Sequence, residues 1–132
     1  MLVADDDRAF GLFARYVLTR VGCVVDLAEC ADDAMNLLTD PTRTYHSVVV
    51  DADLTDAAGR NVALETRSLR PVAALLCVSD GPEREDSRHD VWLRKPYQPA
   101  SLVRALSAAS SVALIRLLHE TPREPVVATP PR

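Results

Sequence analysis

Short apolar runs alternate along this chain with longer segments in which apolar residues recur every three or four positions. The short runs predict five strands, at residues 2–4, 23–28, 47–50, 72–78 and 91–93. The periodic segments predict four helices, at about residues 8–21, 31–38, 61–69 and 99–119. In the first helix this period predicts that Phe10, Phe13, Val17 and Val21 face the core. Strands that alternate with helices are typical of a parallel α/β sheet.

Two segments depart from this alternation. Residues 80–90 contain no apolar residue except Pro82, so they cannot form a helix with a buried face, and we predict a loop there. The last helix ends in a segment that is apolar nearly all round, including Leu114, Ile115 and Leu118, and such a segment needs a partner surface. The proline-rich residues 120–132 predict a disordered tail or linker after one domain of residues 1–119.

Polar side chains stand where four of the five strands end. Asp5 and Asp6 follow the first strand and Asp51 follows the third. Ser79 follows the fourth strand, and Lys95 comes just after the fifth. Because open α/β sheets collect their ligands at the carboxyl ends of parallel strands, we expect these side chains to converge. This convergence and the alternation of elements predict a five-stranded sheet in the order 2-1-3-4-5 with right-handed crossovers.

The chemistry of this set indicates metal-assisted phosphoryl transfer. Carboxylates bind a hard cation such as Mg²⁺. A lysine and a hydroxyl bind the oxygens of a phosphoryl group. Three carboxylates placed so close together would repel one another strongly without a cation.

Composition narrows the possible partners and compartments. The 132 residues fit a single domain, and the net charge of -4 argues against a nucleic-acid surface. No unbroken apolar run approaches the roughly 18 residues of a membrane span, so no membrane partner is expected. The three cysteines, Cys23, Cys30 and Cys77, are odd in number and lack ligand spacing, which indicates reduced packing residues. With no signal-peptide pattern at the start, we expect a cytoplasmic protein.

The order of the motifs resembles the receiver domain of two-component response regulators over roughly residues 1–118. Leu-Val-Ala before Asp5-Asp6 resembles the first strand and acidic pair of that family. Val-Val-Val before Asp51 resembles the strand that ends in the phosphorylated aspartate, and Ser79 resembles the hydroxyl residue. Trp-Leu-Arg before Lys95-Pro96 resembles the fifth strand with its aromatic switch and its lysine–proline pair. The resemblance implies a flavodoxin-like doubly wound fold.

The resemblance also implies a role for each residue. Asp51 would accept a phosphoryl group from a phosphohistidine of a cognate histidine kinase or phosphotransfer protein. Mg²⁺ would be held by the side chains of Asp6 and Asp51 and by the backbone carbonyl of Asp53, with Asp5 acting through water. Two further residues would bind phosphate oxygens, Lys95 and Ser79. Ser79 and Trp92 would form the conformational switch.

The sequence departs from the family pattern in several places, among them Thr55 at the usual proline position of the loop after Asp51. The fourth helix of the family is short or absent here, and that helix normally forms part of the output and dimer face. We therefore expect any homodimer to form through the last helix. Asp53 places an additional negative charge beside Asp51. With no output domain visible, the chain fits either a single-domain regulator or the receiver of a larger protein such as a hybrid histidine kinase.

Two other functions remain open at this point. A pseudo-receiver, an interaction module that no longer switches, would explain the missing helix. The motif Asp51-x-Asp53-x-Thr55 also matches the nucleophile motif of haloacid-dehalogenase-like phosphatases, in which the second aspartate is an acid/base. In those enzymes the metal-binding acidic pair comes after the lysine, whereas here it lies at the N-terminus. We therefore expect a phosphoacceptor and not a dedicated enzyme.

Overall fold

The computed structural model describes residues 1–120 and contains a single parallel sheet. Its strands are β1 (Leu2–Ala4), β2 (Asp26–Ala28), β3 (Ser47–Asp51), β4 (Ala74–Ser79) and β5 (Val91–Arg94). The helices are α1 (Arg8–Arg20), α2 (Ala31–Leu38), α3 (Val62–Leu69) and α4 (Pro99–Glu120). The strand order is β2-β1-β3-β4-β5, with every pairing parallel, which confirms the predicted topology. Of the predicted tail, Glu120 is the last residue of α4, and residues 121–132 lie outside the described residues.

Helices cover both faces of the sheet, and this explains why β3 is continuously apolar. Val48 and Val50 point into a core formed with α2 and α3. Val49 points into a second core formed with α1 and α4. All three valines are fully buried, as the strands of a parallel sheet with two covered faces should be.

The predicted core face of α1 is confirmed at Val17 and in part at Phe13, which packs against the core, but it is wrong at Val21. The buried residues of this helix are Gly11, Ala14, Val17 and Leu18, whereas Val21 is 56% exposed. A β-carbon at Gly11 would come within 3.2 Å of the Leu27 side chain, so the helix packs closely on the sheet through its small residues. The prediction considered only large apolar residues, so it did not include small buried residues such as Gly11 and Ala14. For this reason it extended the core face to Val21.

The second strand is shorter than predicted. β2 begins at Asp26, and Val24 is 83% exposed. β2 is an edge strand, and its only neighbour, β1, pairs with residues 26–28 alone. Because residues 23–25 do not pair with β1, the β-branched side chains of Val24 and Val25 do not suffice to make a strand. The three cysteines are free, and the buried Cys77 has its thiol pKa raised to about 11 by burial.

Residues 80–90 form a loop without helix, as predicted, and polar side chains cover the sheet there. The Arg84 guanidinium lies 5.2 Å from the centroid of the Trp92 ring, and the His89 ring meets the same indole edge-on at 5.2 Å. The Ser87 hydroxyl lies 3.8 Å from the Cys77 sulfur. These side chains occupy the position of a crossover helix.

A buried ionic cluster anchors the far end of this loop. The Asp90 carboxylate accepts hydrogen bonds from Arg67 Nη2 at 2.9 Å, Arg116 Nε at 2.8 Å and the Leu75 amide at 2.8 Å. The two arginines also donate to the backbone carbonyls of Pro71 and Ala73. Burial alone would raise the pKa of the Asp90 carboxyl, but the hydrogen bonds from Arg116, Leu75 and Arg67 lower it. The cluster joins α3, α4, β4 and the loop.

The last helix, α4, is partly buried and partly exposed. Its inner stripe packs on the sheet through Leu102, Ala105, Ala109 and Ala113. Near its end Leu114, Ile115 and Leu118 are exposed, Leu118 by 72%. An 18-residue window of this helix has a mean hydropathy of 1.5, so by length and composition alone it is apolar enough to cross a membrane, contrary to the expectation from unbroken runs. Core helices of soluble proteins pass the same test, and the inner stripe of α4 is such a core contact.

Candidate functional site

Three of the four residues predicted for the metal site meet at the carboxyl end of the sheet. Asp5 and Asp6 follow β1, and Asp51 ends β3, which lies next to β1. One carboxylate oxygen from each residue lies within 4.8 Å of the others. Asp5 is buried, Asp51 is half-buried and Asp6 is exposed, so the cluster opens to solvent on one side. The predicted convergence is present in the structure.

Lys95 joins two of these carboxylates. Its Nζ lies 2.9 Å from Asp5 Oδ2 and 3.0 Å from Asp51 Oδ2, and 4.6 Å from the centroid of the Phe10 ring. The Lys95 amide donates to the Ser79 carbonyl at 2.7 Å, which fixes the lysine at the end of the β4–β5 ladder. Burial alone would lower the pKa of Lys95, but hydrogen bonds to Asp5 and Asp51 raise it above its ordinary value. The ammonium is therefore held charged at the site.

Asp5 is the most buried carboxylate of the cluster. Its Oδ1 accepts the Asp7 amide at 2.9 Å, and its Oδ2 faces Lys95. Burial raises the pKa of the Asp5 carboxyl, in spite of the hydrogen bonds from Lys95 and from the Asp7 amide. Asp5 thus makes a direct ion pair with Lys95, a contact that the sequence did not reveal. Its predicted action on a metal through water stays a prediction.

Asp51 is held by both of its oxygens. Lys95 binds Oδ2, and the Asp53 amide donates to Oδ1 at 2.8 Å. The loop after β3 is fixed because Asn61 Nδ2 donates to the Ala52 carbonyl at 2.8 Å while Asn61 Oδ1 caps α3. The carboxylate is thus presented at the rim in a single orientation, with about 14% of its side chain exposed.

Ser79 and Trp92 are connected to each other through the backbone of one residue, Gly81. The buried Ser79 hydroxyl accepts the Gly81 amide at 3.0 Å. The Trp92 indole N–H donates to the Gly81 carbonyl at 3.2 Å. Ser79 therefore lies at the end of β4 on the same rim as the acidic cluster, whereas Trp92 lies farther back on β5 and contacts the loop. The structure supplies a hydrogen-bonded link between the two predicted switch residues.

Two side chains at this rim were not predicted as site residues. Phe10 contacts the Lys95 ammonium with its ring face, although the sequence suggested only a core role for it. Arg84 pairs with the 66% exposed Asp53 side chain, Nη1 to Oδ1, at 2.9 Å. No signal in the sequence distinguishes Arg84 from the other charged residues of its loop, because the contact depends on how the loop folds.

The donor set fits a hard divalent cation. The carboxylates of Asp6 and Asp51 are oxygen ligands of the type that Mg²⁺ prefers. The Asp53 carbonyl, the other predicted ligand, accepts a hydrogen bond from the Thr55 hydroxyl at 3.1 Å. The single ammonium of Lys95 does not balance the three clustered carboxylates, so a further positive charge is favoured there. No other predicted site residue offers a competing nitrogen or sulfur ligand.

Comparison with known proteins identifies the fold. No family model and no curated protein matches the sequence. A CheY-like response regulator receiver domain protein from Methanospirillum hungatei JF-1 is similar with a TM-score of 0.72 and 18% identity, over 87% of this chain and 95% of that one. A response regulator from Burkholderia pseudomallei was solved with a phosphorylated aspartic acid, calcium ion and citrate. It is similar with a TM-score of 0.66 and 24% identity, over 91% of this chain and 74% of that one.

A third solved structure, the BeF3-activated DrrB receiver domain, gives a TM-score of 0.68 and 21% identity, over 83% of this chain and 95% of that one. All three similarities cover most of both chains, and they agree with the observed strand order. This chain has the flavodoxin-like fold of the response regulator receiver domains, in a form whose β4–β5 crossover contains no helix.

Proposed function

We propose that this domain is the phosphoacceptor of a histidine-to-aspartate phosphorelay and is phosphorylated on Asp51 with Mg²⁺ bound. The observation that carries the proposal is the contact of Asp51 with Lys95 inside a cluster that also contains Asp5 and Asp6. The partner is a histidine kinase or a phosphotransfer protein carrying a phosphohistidine. The similar response regulator from Burkholderia pseudomallei, solved with a phosphorylated aspartic acid, supports this assignment.

Mg²⁺ would be held by the carboxylates of Asp6 and Asp51 and by the carbonyl of Asp53. Asp5 would act on the ion through water. Bound there, Mg²⁺ supplies positive charge that neutralises the phosphoryl oxygens in the transition state. Asp5 also holds the Lys95 ammonium in place. The buried Asp5–Lys95 pair is thus a positioning element for the group that meets the phosphate.

In the transfer, one Asp51 carboxylate oxygen attacks the phosphorus of the phosphohistidine. The P–O bond forms as the P–N bond breaks, and the imidazole nitrogen leaves with the electron pair and later takes a proton. Lys95 already contacts Asp51 Oδ2, so its ammonium is placed to bind a phosphoryl oxygen without moving far. The reaction needs no reshaping of the rim, because the nucleophile is already fixed by Lys95 and the Asp53 amide.

The switch follows from the Gly81 link. The Ser79 hydroxyl would turn toward a phosphoryl oxygen as a donor, which weakens its hydrogen bond with the Gly81 amide. The Gly81 carbonyl accepts a hydrogen bond from the Trp92 indole, so movement of the Gly81 backbone changes the surroundings of Trp92. A local change in charge at Asp51 is thereby coupled to the β4–β5 loop, a two-state element of the kind that phosphorylation controls.

Specific observations favour this proposal over the two alternatives. A phosphatase of the haloacid-dehalogenase type needs Asp53 as an acid/base beside Asp51, but the Asp53 carboxylate is turned outward to Arg84. A pseudo-receiver would tolerate loss of the site, whereas here the acidic set and the lysine are complete and in contact. We therefore propose a phosphoacceptor and not a dedicated enzyme, working in the cytoplasm.

Self-association is part of the same proposal. The usual fourth-helix face is absent, while Leu114, Ile115 and Leu118 are exposed on two successive turns of α4. Residues at this spacing share one side of a helix and can pair with the same stripe of a second copy. We therefore propose that any homodimer uses the end of α4.

Intact mass after incubation with acetyl phosphate and Mg²⁺ tests the assignment. The wild-type protein is expected to gain one phosphate-sized mass, and Asp51→Asn is expected to gain none. Asp53→Asn, which keeps the backbone carbonyl, is the comparison that identifies the acceptor. A gain retained by Asp51→Asn and lost by Asp53→Asn would contradict the assignment. No gain in the wild type would favour the pseudo-receiver, and turnover of a small phosphomonoester would favour the phosphatase.

A further inference from the structure

The loop that replaces the crossover helix places an arginine beside the proposed phosphorylation site. Arg84 Nη1 lies 2.9 Å from Asp53 Oδ1, and the guanidinium also lies over the Trp92 ring. The Asp53 amide in turn donates to Asp51 Oδ1 at 2.8 Å. By covalent geometry Arg84 Nη1 is therefore within about 10 Å of that Asp51 oxygen.

Phosphorylation would change the forces on this arginine. An acyl phosphate carries more negative charge than the carboxylate it replaces, and it extends outward from Asp51 toward solvent. The added charge repels the Asp53 carboxylate and attracts the Arg84 guanidinium. A planar guanidinium binds two oxygens of a phosphoryl group at once, which a single exposed carboxylate oxygen cannot match.

The present partner of Arg84 holds it weakly. The Arg84 and Asp53 side chains are 43% and 66% exposed, and ion pairs between such exposed groups contribute little free energy. Arg84 also borders a cleft of about 70 Å³. The other residues that line this cleft are Ala52, Asn61, Leu64, Asp86 and Ser87. The guanidinium is thus held only by a weak ion pair, and it has open space in which to move.

We propose that Arg84 is a phosphoryl-binding residue that leaves Asp53 for the phosphoryl group when Asp51 is modified. This inference rests on the proposed function, and it assigns to the β4–β5 loop a direct part in sensing phosphorylation. Arg84 is also in contact with Trp92, so its transfer removes a cation from the indole face. The loop then reports the state of Asp51 through Arg84 as well as through the Ser79–Gly81 link.

Binding of beryllofluoride (BeF3⁻) with Mg²⁺ to the full chain tests this role without requiring turnover. Calorimetry gives the affinity, and Trp92, the one tryptophan of the chain, gives an emission signal. Arg84→Gln is expected to weaken binding about tenfold, the loss of one charge-assisted contact at a partly exposed site. Arg84→Lys should recover part of the affinity. Arg88→Gln, with the same change of charge in the same exposed loop, is expected to bind like the wild type.

A double-mutant cycle separates partner exchange from simple charge repulsion. Asp53→Asn frees Arg84 from its resting partner, so it should tighten binding of BeF3⁻ by about two- to fivefold. That gain should shrink when Arg84→Gln is already present. An equal gain in both backgrounds would show that Asp53 acts through charge alone and would overturn the exchange.

The two proposals fail in different ways. Wild-type affinity and an unchanged emission response in Arg84→Gln would overturn the role of Arg84 and leave the phosphoacceptor intact. A wild-type protein that does not bind BeF3⁻ with Mg²⁺ would overturn the phosphoacceptor proposal, and the role of Arg84 with it.

Discussion

The two sides of this sheet are stabilised by different kinds of contact. On the β2-β1-β3 side, helical crossovers bury a continuous apolar core that includes Leu2, Leu38 and Val48. On the β4–β5 side, a charged loop makes the crossover, and Asp90 with its two arginines occupies the base of the sheet. The first side follows the apolar pattern of the sequence closely. The second side depends on polar groups that must meet in a specific geometry.

The difference shows what a crossover without a helix requires. A loop leaves backbone carbonyls unpaired, and Arg67 Nε donates to the carbonyl of Arg88 in this loop at 3.1 Å. The buried guanidiniums need a counter-charge, which Asp90 provides. Removing one member of such a cluster is therefore costly, because the remaining charges stay buried without a partner.

The largest expected effect comes from breaking this cluster. Asp90→Asn leaves Arg67 buried without a carboxylate, and the free energy of unfolding should fall by about 3–5 kcal/mol. Urea unfolding of the two proteins measures the loss. Asp86→Asn, which removes an exposed carboxylate from the same loop, should change the stability by less than about 0.5 kcal/mol. Similar small losses in both variants would show that the cluster is dispensable.

A pH series sharpens the contrast between the two sides. Because the folded-state pKa of Asp90 is lowered, its stabilisation is fully present above the unfolded value of about 3.9 and is lost as the pH falls through the folded-state pKa. The cost of Asp90→Asn should therefore shrink under strong acid. The cost of Leu38→Ala, about 2–5 kcal/mol from an apolar cavity, should not follow this titration. Urea unfolding from pH 7 to pH 3 separates the two.

A smaller effect is expected at the acidic rim. At a Mg²⁺ concentration ten times the Kd, binding should stabilise the fold by about 1.4 kcal/mol, or roughly 4–8 °C in Tm. Thermal scans with and without Mg²⁺ measure the shift. Asp6→Ala should lose it, whereas Asp32→Ala, which removes an exposed carboxylate from α2, should keep it. An equal shift in the wild type and Asp6→Ala would mean that Asp6 is not a ligand.

The smallest effect on the fold concerns the end of α4. Ile115→Glu with Leu118→Glu changes exposed positions, so the stability of the monomer should hardly change. Light scattering should show a dimer in the wild type and a monomer in the double variant. Phosphorylation at Asp51 should be retained. A wild-type protein that stays monomeric at high concentration would contradict self-association through this helix.

The sequence by itself determined the topology and the centre of the site. The alternation of apolar strands with periodic helices, broken only between β4 and β5, allows few arrangements. The parallel sheet then places Asp5, Asp6, Asp51 and Lys95 at one rim. The absence of a helix in residues 80–90 could also be predicted from the sequence, because a segment with almost no apolar residues has no face to bury.

Only the tertiary structure decided which polar groups meet across distant segments. Asp90 with Arg67 and Arg116, and Arg84 with Asp53, join residues that no local pattern links. The core face of α1 was also decided by the tertiary structure, because it depends on the close approach of Gly11 to β2. Apolar burial follows a repeat along the chain, whereas an ion pair depends on the geometry of two folded segments, and that geometry exists only once the sheet has formed.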